Sequence, residues 1–180
     1  PTGTEIAFTS DRAGTPQIYI VNAEGTGGAR RISLNESYAD RPTWSSPPFN
    51  EIAFAARTGP GFDIKVYEVA SGQTRQITFG EGTNESPVFA PNGRHLAFTS
   101  TRAGRVQVFT MDGRYVNQVI LNQQAGGNTT CGLAFSPDQR YLYVSDFSNA
   151  RIAVIERASL KVLYQFGSSG REPGQFRNTH

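Results

Sequence analysis

The chain has 180 residues, of which 37% are hydrophobic, 11% aromatic and 18% charged, with 19 Gly and 10 Pro. That mix is too apolar for a disordered segment and too punctuated by turn formers for a helical bundle, and the length suffices for a real core. Charge is nearly balanced at +2 but unevenly placed, with residues 1–90 summing to −3 and residues 91–180 to +5.

In chain order, the predicted strands begin with IAFTS at 6–10, QIYIV at 17–21 and RRIS at 30–33. A second group follows: RPTWS at 41–45, IAFAA at 52–56, KVYEV at 65–69 and RQIT at 75–78. The third comprises SPVFA at 86–90, LAFTS at 96–100, QVFTM at 107–111 and QVIL at 118–121. The fourth comprises GLAFS at 132–136, LYVSD at 142–146, AVIER at 153–157 and LYQF at 163–166. Ile6, Ile52, Leu96 and Leu142 are spaced by 46, 44 and 46 residues, and Trp44, Phe89 and Phe135 by 45 and 46. The runs are rich in Val, Ile, Phe, Tyr and Thr, and Gly, Pro, Asn, Asp and Ser separate them, which is strand-and-turn chemistry. APNGR at 90–94 and SPDQR at 136–140 read as hairpin turns, with Asn92-Gly93 supplying a positive φ.

Four short strands per period of about 45 residues define a β-propeller, in which each blade buries both faces against its neighbours. The expected fold is all-β: four blades of four antiparallel strands, with repeats at about 1–40, 41–85, 86–130 and 131–175 of one domain spanning 1–180. With strands named a to d outwards from the axis, the chain opens on a b strand. The first blade is therefore expected to be split between the termini, with residues 176–180 as its closing strand. QFRNTH is polar and short for that role. Open blade edges invite strand pairing between chains, so a homodimer completing a larger ring is expected, with a compact four-bladed monomer as the alternative.

The stretches IAFTSDRAGTPQIYIVNAEG at 6–25, NEIAFAARTGPGFDIKVYEVASGQTRQIT at 50–78 and NESPVFAPNGRHLAFTSTRAGRVQVFTMDG at 84–113 resemble the TolB propeller, a periplasmic component of the Tol-Pal envelope system. From about 114 onwards the chain is similar to NHL-repeat propellers instead: LYVSDFSNARIAV at 142–154 and GSSGREPGQF at 167–176 carry that pattern. A change of repeat type near Gly113 implies a recombined or designed propeller, or a natural mixed one. TolB-like propellers engage proteins through one face, which implies an extracytoplasmic, protein-binding module.

That face is built from the b–c and d–a loops. Arg12, Arg57 and Arg102 recur there at intervals of 45, with Phe147 at the fourth equivalent position. Together with Tyr38 and Phe62 they form the candidate partner-binding set, cationic forks flanked by aromatic anchors for a peptide or protein ligand. The same spacing also suits a structural role in which each Arg ties its own blade to a nearby acid or carbonyl. Asp146, Asn149 and Arg151 form the NHL-like set, with Arg151 expected to reach a neighbouring blade.

No catalytic residue, cofactor or metal site is expected. Some NHL-type propellers are metal-dependent lyases, but His95 and His180 are remote from each other and do not make a ligand set. The chain has no G-x-S-x-G elbow, and GSSG at 167–170 reads as a loop. Cys131 alone excludes an internal disulfide. Basic residues are scattered, with Arg30-Arg31 the one adjacent pair, so nucleic acid is not an expected partner. Membrane insertion is excluded because no apolar run approaches about 18 residues. No apolar leader opens the chain and Pro1 stands in place of Met, so any export signal is expected to be absent or already removed.

Overall fold

A computed structural model describes residues 3–79, 82–101, 105–110, 112–121, 130–177 and 179; for 130 and 131 it describes the backbone alone. Four antiparallel sheets follow one another along the chain. The first holds β1 (Glu5–Ser10), β2 (Gln17–Asn22) and β3 (Arg30–Arg31). The second holds β4 (Ala39–Trp44), β5 (Glu51–Thr58), β6 (Gly61–Glu68) and β7 (Thr74–Gln76). The third holds β8 (Asn84–Phe89), β9 (His95–Ser100), β10 (Arg105–Thr110) and β11 (Tyr115–Ile120). The fourth holds β12 (Thr130–Phe135), β13 (Tyr141–Asp146), β14 (Arg151–Glu156) and β15 (Val162–Phe166). Every strand pairs with its sequence neighbour within its sheet. The inner strands β4, β8 and β12 adjoin from sheet to sheet, as blades around a common axis require. The structure is thus the expected all-β propeller array, with a single 3₁₀ turn at Phe147–Asn149 as the helical element among the described residues.

Alternation along each strand places the cores. In β5, Ile52, Phe54 and Ala56 point towards the first sheet, where they meet Ile18, Ile20 and Ile32. Ala53 and Ala55, on the opposite face, meet Phe89, Leu96 and Phe98 of the third sheet. Ala97, Val106 and Val108 then pack on Leu142, Val144, Ala153 and Ile155 of the fourth. This period of two is the side-chain periodicity of a strand, and each fully buried Ile or Phe contributes about 2 kcal/mol of transfer free energy. In β5 and β9 large residues face the preceding sheet and alanines the following one, so bulk from one blade fills the shallow surface of the blade before it.

Two inner strands carry the same bulge. Pairing shifts between Asp40 and Thr43 in β4 and between Glu85 and Val88 in β8. Arg41 (φ 54°) and Ser86 (φ 52°) sit at these bulges in the left-handed region, each followed by a proline. Left-handed non-glycine residues cost about 1 kcal/mol each, and such bulges re-aim the side chains beside them. At the other end of the sheets the expected hairpin turns form, with Gly93 at φ 67° and Gln139 at φ 61°. The expected closing strand falls partly outside the described residues, at 178 and 180. Phe176 makes an isolated bridge to Ser169, and β1 pairs with β2.

Candidate functional site

The b–c and d–a loops lie at one end of the sheets. In the second blade the β5–β6 hairpin is tight, with Arg57 opposite Phe62 in register. Its backbone also reaches the preceding d–a loop, where the Arg57 N–H donates to the Tyr38 carbonyl at 3.0 Å. That geometry brings three of the predicted site residues together. The Arg57 guanidinium lies 5.6 Å from the Tyr38 ring centroid and 5.5 Å from that of Phe62. The two rings meet edge to face at 5.4 Å. Arg57 is exposed, while both rings are half-buried. A cation over aromatic faces contributes about 0.5–1 kcal/mol at such a site and leaves the guanidinium N–H groups free to point outward.

The loop carrying Tyr38 is held from both sides. The Thr15 hydroxyl donates to the Ser37 carbonyl at 2.9 Å, and the Gln17 amide to the Glu36 carbonyl at 3.1 Å. From the second sheet, Lys65 Nζ donates to Glu36 Oε1 at 2.6 Å in an ion pair whose side chains are only 17% and 8% exposed. The aromatic–cationic cluster is therefore preorganised by contacts between two blades.

Behind Tyr38, the bulges aim a polar group inward. Asp40 Oδ2 lies 3.8 Å from Arg41 Nε and accepts a hydrogen bond from the Tyr38 hydroxyl at 3.3 Å. Arg41 also donates to the Ser86 hydroxyl of the next blade. Burial raises the Asp40 carboxyl above its usual range, with Arg41 partly opposing. Burial likewise raises Glu85, with Arg41 lowering it and Asp40 adding repulsion. Burial and the neighbouring Asp40 carboxylate push the Tyr38 phenol upward too. The Arg41 charge thus opposes the rise of two carboxyls 45 residues apart in sequence, one in each of two blades.

The remaining predicted residues behave differently. Arg12 lies 4.8 Å from the Tyr19 centroid and 5.3 Å from that of Phe8, and its Nε donates to the Ser10 hydroxyl at 3.0 Å. It belongs to its own hairpin and not to the Tyr38 cluster. Among the described residues neither Arg12 nor Arg57 has a carboxylate within ion-pair distance, and these guanidiniums lie over rings where the structural alternative had a nearby acid or carbonyl. Arg102 lies outside the described residues. Phe147 sits in the 3₁₀ turn, half-buried. Where Arg151 was expected to reach a neighbouring blade, among the described residues it makes no hydrogen bond to one: its Nε donates to Asp146 Oδ2 at 2.9 Å across the base of its own loop. Asn149 donates to both oxygens of the same carboxylate, at 2.9 and 3.0 Å. A buried carboxylate directly opposite Arg151 captures it before it can extend.

Sequence reasoning missed a buried polar lock repeated in the first two blades. The Ser33 hydroxyl accepts the Ile18 N–H at 2.9 Å and donates to Gln17 Oε1 at 2.7 Å. At the equivalent place the Thr78 hydroxyl accepts the Ile64 N–H at 2.9 Å and donates to Asp63 Oδ1 at 2.6 Å. Asp63 additionally accepts from Thr58 at 2.6 Å and from Gln76 and Asn84 at 3.1 Å each. The signal was present in RRIS and RQIT, where a hydroxyl residue closes each run. Among the described residues no three His, Cys, Asp or Glu side chains converge as metal ligands, and no helix is long and apolar enough to cross a membrane.

Comparison with known proteins now places the chain. The family model described as "Lactonase, 7-bladed beta-propeller" matches residues 52–176. The chain belongs to that family. Within this lactonase-type propeller family its repeats are TolB-like. It is 36% identical over 114 residues to the protein TolB homolog of Chlorobium luteolum, an alignment covering 62% of this chain and 25% of that one. Of solved structures, TolB from Acinetobacter baumannii superposes with a TM-score of 0.66 at 21% identity, over 88% of this chain and 40% of the other. A chain described as TolB from Agrobacterium tumefaciens gives 0.69 at 20% identity, over 92% and 62%. These structural likenesses establish the fold. The chain spans about a quarter of the curated relative's length.

Proposed function

We propose that this chain is part of a TolB-like propeller that works without catalysis, outside the cytoplasm, by binding a protein or peptide partner on its b–c and d–a loop face. The observation that carries this reading is the Tyr38–Arg57–Phe62 cluster, an exposed guanidinium set over two half-buried rings on a loop pinned from both sides. Aromatic and Arg side chains held rigid in this way are the residue types that dominate binding energy at interfaces. The guanidinium fork suits a carboxylate or a peptide carbonyl of the partner, and the rings supply apolar contact area.

The test is a titration of a labelled synthetic peptide from a Tol-Pal-type partner, followed by fluorescence anisotropy. Arg57→Glu and Tyr38→Ala are each expected to weaken binding at least about tenfold, equivalent to about 1.4 kcal/mol. Unchanged affinity in both variants overturns the assignment of the face. A second reading, a propeller assembled from two repeat families, is supported by the fourth sheet. There the Asp146–Asn149–Arg151 loop and Tyr143 replace the features shared by the preceding blades.

A further inference from the structure

The opposite end of the third and fourth sheets carries a different kind of group. Because β12 adjoins both β8 and β9, the turn 90–94 and the turn 136–140 emerge together at that end. Arg94 and Arg140 close these turns and are exposed, with the Arg140 guanidinium 5.4 Å from the Tyr141 ring centroid. Arg157, in the β14–β15 turn, is fixed beside them: its N–H donates to the Arg140 carbonyl at 2.9 Å and its Nε to the Gln139 carbonyl at 2.6 Å. His95 opens β9 between these turns, half-buried, with Nδ1 buried and without a hydrogen-bond partner.

The nearby acids are already engaged. Asp138 accepts the Ser136 hydroxyl at 2.6 Å and the Arg140 N–H at 3.1 Å. Glu156 accepts the Ser159 hydroxyl at 2.6 Å. Among the described residues no carboxylate lies within ion-pair distance of Arg94, Arg140 or Arg157. At the same end of the second sheet, by contrast, Arg75 is paired with Glu51 at 2.6 Å. Arg94, Arg140 and Arg157 thus gather at this end without an ion-pair partner among the described residues.

We propose that the turn end of the third and fourth sheets binds an oxyanion of the phosphate class, held by Arg94, Arg140 and Arg157 beside His95. A phosphate group offers at least three acceptor oxygens and up to two negative charges, which answers three guanidiniums where a carboxylate answers one. Burial together with the Arg157 and Arg94 charges holds the His95 imidazole below its ordinary pKa. A bound dianion reverses the sign of that field and favours the imidazolium, which then adds a donor.

The experiment follows the His95 imidazole by ¹H–¹⁵N correlation spectra, with His95→Gln identifying its signals. Inorganic phosphate, glycerol phosphate and acetate are titrated at constant ionic strength set with sodium chloride. Phosphate or its ester is expected to give a saturable shift and to raise the pH midpoint of His95, with acetate giving little. The tighter of the two identifies the source as free ion or phosphate ester. Arg94→Gln and Arg140→Gln, both at exposed positions, are each expected to weaken that binding about tenfold with unchanged melting temperature. If Arg157→Gln fails to fold, these two variants carry the test. A response no greater than that to sodium chloride, or equal affinity in both variants, overturns the site.

Discussion

Asp40 and Glu85 occupy the same place in successive repeats, each beside a bulge and each within the field of one guanidinium, Arg41. Both carboxyls are raised, mainly by burial, so the folded protein holds their protons more tightly than the unfolded chain does. Stability from these groups is therefore greatest in acid and declines as pH climbs from the ordinary carboxylate range through the raised values. At neutral pH the full cost is present. Asp40→Asn, which still offers an oxygen to the Tyr38 hydroxyl, should raise the melting temperature by about 2–4 °C near pH 7. The gain should disappear towards about pH 3.5, where the carboxyl is protonated in both states. Thermal melts across that range check it, and a gain independent of pH would contradict the burial account. Neither carboxylate stood out in the sequence, because Asp40 and Glu85 lie just before the runs RPTWS and SPVFA and outside the strands read there. Their proximity arises from two blades meeting, which no local pattern encodes.

Along a single strand, the decisive feature is which of two faces a side chain takes. Ala53 and Ala97 are fully buried or nearly so, where the next blade's large residues press on them. The equivalent residue in the fourth sheet is Tyr143, which is 36% exposed. Ala53→Tyr should therefore overpack the space filled by Leu96 and Phe98 and destabilise by about 3 kcal/mol. Tyr143→Ala should change stability by less than about 1 kcal/mol, because its ring is not enclosed. Urea unfolding of both variants tests the pair, and equal effects would refute the face assignment. The strands themselves were largely legible: IAFTS and QIYIV became β1 and β2, and RPTWS became most of β4. Their ends were less so. RRIS yields only the two-residue β3, since Ser33 leaves the ladder to lock Gln17 and the Ile18 N–H. Of the candidate site, spacing pointed to Arg57, and Tyr38 and Phe62 were read as aromatic anchors in loops of the same face. Their union depends on a hairpin register and a loop from the preceding blade.

Across the molecule, the described residues lay out stability in three cores, each shared by one pair of neighbouring sheets. Such an array behaves as a chain of nearest-neighbour couplings. Ile18→Ala, in the core between the first two sheets, should accelerate hydrogen exchange in β1, β2 and β5 well before it affects β13 and β14. Mass spectrometry of exchanged peptides distinguishes this from uniform acceleration, which would mean a single cooperative unit. Period and turn chemistry made the array legible, since a repeat of about 45 residues with four strands admits few alternatives. The lock formed by Ser33 and Thr78 has a consequence for how such an array diversifies. In each case the hydroxyl fixes the same backbone N–H, yet its proton goes to a neutral amide at Gln17 and to a carboxylate at Asp63. A duplicated blade can therefore exchange one acceptor for the other, altering its formal charge by one unit at a buried point while every strand keeps its place. Copies of a common repeat are free to drift apart electrostatically before they drift apart in shape.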